Sequence, residues 1–180
     1  MAPTVVLVGP PGAGKTTVGR LLADRLGVTF RDTDDDVSSA AGMSVTEIFV
    51  DLGESQFRRL ETTAVGRALV EHDGVLALGG GAVLDPATSD RLAGHRVVFL
   101  DVGIKDAASR VGFNRDRPLL LGNPRAQWLR LMDARRGRYE QVAAATVATD
   151  GLTPDEVAQR VAAALDGLEA APRTGPAGDR

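Results

Sequence analysis

The sequence contains no cysteine. That absence excludes a disulfide framework and any metal site built on thiolates. Lysine is almost missing as well: of the 21 basic residues only Lys15 and Lys105 are lysine. An arginine in this chain therefore says little by its type and has to be judged by its position. Aromatic residues are 4% of the 180 positions, with one tryptophan and one tyrosine. No apolar run approaches the roughly 20 residues that span a bilayer. No basic segment with an apolar stretch behind it precedes the first strand-like run, so neither a secretory leader nor a membrane partner is expected, and the cytoplasm is the default compartment. The formal charge of −3 provides no basic excess of the kind that attracts nucleic acid or anionic lipid. The length suits one compact domain with a buried core.

What is present centres on Gly9-Pro10-Pro11-Gly12-Ala13-Gly14-Lys15-Thr16, which fits the pattern GxxxxGK[ST]. An apolar run, Val5 to Val8, precedes it and an amphipathic segment continues from it to Leu26. Strand, loop and helix are the context in which the pattern has mechanical meaning: glycines let the backbone curl around phosphate oxygens, and N–H groups at the helix start point at the anion. The lysine then reaches the β- and γ-phosphates and the threonine hydroxyl faces magnesium. Gly12, Ala13, Gly14, Lys15, Thr16 and Thr17 are the candidate nucleotide contacts. A purely structural glycine turn is the alternative.

Strand-like and helix-like segments alternate through the rest. A short strand is expected around Thr29–Arg31 after Gly27, which suits a helix C-terminus. Ser44-Val45-Thr46-Glu47 reads as a capping box before a short helix ending near Gly53. In the next helix Phe57, Leu60, Ala64 and Ala68 share one face, while Arg58 and Glu61 point elsewhere together. Val75–Leu78 is a buried-strand run that ends in Gly79-Gly80-Gly81; Asp85-Pro86 opens a helix and Arg96–Leu100 is another strand. A polar stretch from Gly112 to Pro124 interrupts the pattern. A helix through Trp128 and Tyr139, a strand near Thr146–Ala148 and a last helix opened by Thr153-Pro154-Asp155-Glu156 follow. Such alternation implies a parallel sheet covered by helices on both faces. Residues 1–171 form the expected domain, and 172–180, rich in proline and glycine, read as a disordered tail.

Ligands of an open parallel sheet bind beyond the carboxyl ends of its strands. There the P-loop, Asp32-Thr33-Asp34 and the three glycines would meet. Asp32 and Asp34 alternate at a strand end, so one can face metal and phosphates and the other an acceptor hydroxyl, as kinase chemistry requires. The bland reading is a solvated helix start across Asp32 to Asp36. Three successive glycines cost backbone entropy and suit a place where a ligand approaches main chain. Arg58 is either a surface arginine or a ligand clamp; Arg117, in the interrupting stretch, can close over phosphates; Arg135 stands four positions before Tyr139, where a packing pair is the alternative.

Taken in order, GPPGAGKTT at 9–17, DTD at 32–34, FRRLE at 57–61, LGGGAV at 78–83, RPLL at 117–120 and Arg135-Arg136-Gly137-Arg138-Tyr139 resemble the shikimate kinase family. The resemblance implies a P-loop kinase fold of nucleoside-monophosphate-kinase type, α/β with a five-stranded parallel sheet, helices on both faces and a mobile lid at about 112–124. It implies ATP and shikimate as substrates, Mg2+ as cofactor and a monomer. By the same resemblance Lys15 acts on the transferred phosphate, Thr16 and Asp32 lie around magnesium, and Asp34 on the acceptor hydroxyl. Arg58 and Arg135 would grip the shikimate carboxylate, Gly79, Gly80 and Gly81 would contact ring hydroxyls, Arg117 would come from the lid and Arg110 would stack on adenine. Arg136 and Arg138 are the alternatives to Arg135, which the Arg-x-x-x-Tyr spacing favours. Ala77 and Leu152 depart from the family pattern beside the metal and the adenine.

Overall fold

The computed structural model describes residues 2–111 and 123–170. Its core is a sheet of five parallel strands in the order β2-β3-β1-β4-β5: β1 (Val5–Val8), β2 (Phe30–Asp32), β3 (Val75–Ala77), β4 (Val97–Asp101) and β5 (Ala145–Ala148). All four residues of β1 and all three of β3 are buried. Continuous apolar strands of this kind are what a sheet covered on both faces demands.

Helix α1 (Lys15–Leu26) leaves β1 toward one edge of the sheet, reaching β2. The later crossovers run the other way, through α4 (Glu54–Glu71), α5 (Pro86–Leu92) and the pair α6 (Ile104–Val111) and α7 (Pro124–Val142). Right-handed crossovers then put α1 on one face and these helices on the other; the final helix α8 (Pro154–Ala170) packs beside α1.

Local signals account for most boundaries. Gly27 closes α1 at φ 67°, the Ser44–Glu47 capping box opens the short helix α3 (Val45–Glu47), and Asp85 caps α5 by accepting from the Thr88 N–H. After α3 the backbone widens into a π-turn over Ile48–Leu52 before Gly53 stops it. The strand expected at Thr29–Arg31 starts and ends one residue later, because Asp32 pairs with Ala77 in the β2–β3 ladder.

Two expectations are corrected. Asp34 does not continue a strand: it lies in the first turn of α2 (Thr33–Ala41), with Asp32 as the N-cap accepting from its N–H. The helix-start reading therefore describes the conformation of the acidic cluster. In α4 the buried face is Phe57, Glu61, Ala64, Val65, Ala68 and Leu69, so Glu61 belongs to the covered side instead of pointing away from it. Of the stretch 112–124, residues 112–122 and with them Arg117 lie outside the described residues; Asn123 and Pro124 already form the cap and first position of α7. The tail at 172–180 is likewise outside them.

Candidate active site

A cavity of about 530 Å³ opens at the carboxyl ends of the strands, lined by the loop from Pro11 to Thr17 together with Asp32, Asp34, Gly80, Arg110 and Leu152. The P-loop is built by backbone. Gly9, Gly12 and Gly14 all have positive φ, at 151°, 85° and 86°, a region costly for side-chain-bearing residues. Helix α1 has no side-chain cap and no acidic residue in its first turn, unlike α2, which has both. Its first N–H groups are thus kept for an anion rather than for a cap. Lys15 Nζ donates to the carbonyls of Gly9 and Pro10 at 2.8 and 3.3 Å, folded along the loop it serves.

Asp32 ties the loop to α2: its Oδ2 accepts from the Thr16 hydroxyl at 2.8 Å while Oδ1 accepts from the Asp34 N–H at 3.0 Å. Between the two aspartates Thr33 is fully buried and its Oγ1 accepts from the Gly79 N–H at 3.1 Å. The motif Asp-Thr-Asp thereby has its outer carboxylates on the cavity and its centre on the glycine loop.

None of Gly79, Gly80 and Gly81 has a positive φ. What crowds these positions is the approach of charged side chains. A Cβ on Gly79 would lie 2.5 Å from Glu61 Oε1 and 2.7 Å from Asp34 Oδ1, and one on Gly80 3.3 Å from Arg135 Nη1; on Gly81 it would overlap the Arg58 guanidinium. Four charged side chains from three helices thus converge on one bare stretch of backbone. Arg135 is 8% exposed, on the buried stripe Trp128, Met132, Arg135 and Tyr139 of α7. The Tyr139 hydroxyl donates to the Gly80 carbonyl at 2.5 Å, and burial pushes its pKa up to about 12. Of the alternatives to Arg135, Arg136 forms a two-pronged ion pair with Asp101 at 2.9 and 3.0 Å, and Arg138 donates to the Gln141 side chain on the outer surface.

Glu61 is the member that sequence reasoning missed. It is 3% exposed, its Oε2 accepts from Arg58 Nη1 at 2.6 Å, and its Oε1 has no hydrogen-bond partner among the described residues. Burial raises its pKa above the ordinary carboxylate range, against the pull of Arg58, and nearby Asp34 adds to the rise. A glutamate at a core position of an otherwise apolar helix face is the signal that could have found it. Arg58 also reaches Glu54 at 3.4 Å, so its guanidinium is held from both sides.

Arg110 donates to Thr149 Oγ1 at 3.0 Å, to the Thr149 carbonyl at 2.9 Å and to the Gly12 carbonyl at 3.3 Å. Trp128, which follows the interrupted stretch, is 2% exposed. Ala77 is fully buried opposite Asp32 and brings no polar atom to that position.

Sheet order, P-loop and cavity together define a P-loop phosphotransferase of the nucleoside-monophosphate-kinase type. Residues 11–166 match the family model described as shikimate kinase. The chain is 60% identical over 168 residues to a shikimate kinase of Streptomyces coelicolor, covering 93% of this chain and 96% of that protein. It is 59% identical over 168 residues to a shikimate kinase of Streptomyces avermitilis, with 93% and 98% covered. A shikimate kinase from Acinetobacter baumannii, solved in complex with shikimate, superimposes with a TM-score of 0.89 at 32% identity, covering 95% of this chain and 96% of that one. The chain belongs to the shikimate kinase family.

Proposed function

We propose that this protein transfers the γ-phosphate of ATP to the 3-hydroxyl of shikimate, giving shikimate 3-phosphate and ADP for aromatic amino-acid biosynthesis. The observation that carries the reading, beside family membership, is the meeting of two arginines and two carboxylates on the glycine loop next to a nucleotide-sized cavity.

Arg58 and Arg135 bind the shikimate carboxylate, each guanidinium able to engage it bidentately. The backbone of Gly79, Gly80 and Gly81 meets the ring hydroxyls. Asp34 orients the 3-hydroxyl and takes its proton as the oxygen bonds to the γ-phosphorus and the bond from phosphorus to the ADP oxygen breaks. Lys15 leaves the Gly9 carbonyl to follow the transferred phosphoryl group, with Gly12, Ala13, Gly14, Thr16 and Thr17 lining the phosphates. Arg117 adds charge from the 112–124 stretch. Arg110 is held through its edge by Thr149, which leaves the flat face of the guanidinium for adenine.

The Thr16 hydroxyl and Asp32 carboxylate, 2.8 Å apart, are hard oxygen donors of the type Mg2+ takes. Among the described residues no group of three or more acidic or histidine side chains makes a complete cage, which fits an ion whose other ligands are phosphate and water. When bound, Mg2+ supplies charge neutralisation across the phosphates. Residues 1–171 act as one monomeric domain. Among the described residues no helix is long and apolar enough to cross a membrane.

The test is coupled ADP release on adding shikimate, with gluconate as the competing acceptor. Release with shikimate alone is expected; release with gluconate alone would transfer the chemistry to another hydroxy acid. Nucleotide binding without release for any acceptor would leave a switch rather than a kinase.

A further inference from the structure

One strong contact of the cavity wall has no part in the scheme above. The indole Nε1 of Trp128 donates to the carbonyl of Pro11 at 2.9 Å. Pro11 and Gly12 are the central residues of a turn closed by the Ala13 N–H on the Pro10 carbonyl at 3.2 Å, and Gly12 has φ 85°. Proline second, a positive-φ glycine third and an i to i+3 bond are the pattern of a type II turn. Types I and II differ by a half-turn of the peptide plane between the two central residues, here Pro11–Gly12. In a trans peptide the C=O and N–H point in opposite directions. A donor that pins the Pro11 oxygen therefore pins the direction of the Gly12 N–H, a group with no protein acceptor among the described residues in a loop that lines the cavity.

Trp128 cannot drift from this position. It is 2% exposed and shares one buried stripe of α7 with Tyr139, eleven residues later. Eleven residues are close to three helical turns, so both side chains leave the same face of one rigid helix. Tyr139 does at the glycine loop what Trp128 does at the P-loop: by holding the Gly80 carbonyl it sets the direction of the Gly81 N–H.

We propose that Trp128 is a positioning residue of the phosphate site, fixing the Pro11–Gly12 peptide plane so that the Gly12 N–H faces the phosphates that ATP and ADP share. The inference rests on the nucleotide reading of the P-loop. Trp128→Phe retains most of the packing and removes only the donor. Because a hydrogen bond of this kind is worth about 0.5–1.5 kcal/mol, ADP affinity and the KM for ATP should weaken by about two- to thirteenfold, with the dissociation constant for shikimate unchanged. Equal affinities for ADP in the two proteins would overturn the proposal. So would a parallel loss for ADP and shikimate, which marks general loosening. A second measurement needs no variant: with one tryptophan the protein has one indole N–H resonance, and its hydrogen exchange should be strongly slowed in the free protein and in the ADP complex. Exchange in the ADP complex at the rate of free tryptophan would overturn the proposal whatever the fate of the variant. Wild-type protein that binds no ADP at all would instead sink the nucleotide reading on which it stands.

Discussion

The two ends of the cavity are made of different material. At the nucleotide end the recognition elements are peptide groups: three positive-φ glycines and an uncapped helix start within the loop from Gly9 to Lys15. At the acceptor end the backbone is bare at Gly79 to Gly81, and recognition is left to charged side chains from α2, α4 and α7 that press against it. A backbone site is tolerant of what surrounds it, because its dipoles are placed by φ and ψ. A side-chain site needs each charge held by a neighbour: Arg58 by Glu54 and Glu61, Arg135 by its place on the buried stripe of α7. In the proposed reaction the first end binds the phosphates and the second selects the hydroxy acid.

If this contrast holds, damage to the acceptor end should leave nucleotide binding intact. The largest effect is expected for Asp34→Asn, which should lower turnover about 10²-fold or more, since general-base assistance is typically worth that much. ADP binding, measured by calorimetry, should change little. Turnover within threefold of the parent would remove Asp34 from the proton-transfer role and blur the division between the ends.

A smaller effect is expected for Arg135→Lys, in which a point charge replaces a two-pronged donor. Losing one charge-assisted hydrogen bond of about 1.5–3 kcal/mol predicts a roughly ten- to hundredfold weaker shikimate complex with ATP affinity preserved. Arg136→Lys, one residue along the helix, serves as the comparison. It pairs with Asp101 and is not among the side chains that crowd Gly79 to Gly81, so it should affect the melting temperature more than shikimate binding. Reversal of the two results would assign the clamp to Arg136.

The smallest effect concerns Glu61 and appears in stability. Its pKa is raised in the folded protein, so the native state holds the proton more tightly than the unfolded chain does. The stability this confers is present at low pH and is lost as pH rises from the usual carboxylate range through the raised value. Glu61→Gln, which stays neutral, should flatten that decline in a series of melting temperatures across mildly acidic pH. Identical slopes would mean that Glu61 ionises as it would in water. The acceptor end would then be less desolvated than its burial implies.

Tyr139 offers a sharper check of the same desolvation, because it is the only tyrosine. Tyrosinate absorbance should rise in the native protein with a midpoint of about 12, and near the ordinary value for tyrosine, roughly 10, once the protein is unfolded. A native midpoint at the ordinary value would show that water reaches the hydroxyl beside Gly80.

By itself the sequence determined the alternation of strands and helices, the phosphate loop and the family. Each of these rests on residues adjacent in the chain, where apolar period, glycine placement and capping chemistry act over a few positions. It also determined which arginines to consider, through motif spacing. Tertiary structure alone decided that Asp34 begins a helix instead of ending a strand, because Asp32 is used up both as the last residue of β2 and as the cap of α2. It decided that Glu61 is buried, since the register of α4 against the glycine loop selects its covered face and no local pattern reports that register. It placed Arg135 against Gly80 and Arg136 on Asp101, 35 positions before it in the chain, and it brought Trp128 onto the Pro11 carbonyl, 117 residues away. Contacts over such separations depend on how helices dock on the sheet, and that docking is set by the whole core at once.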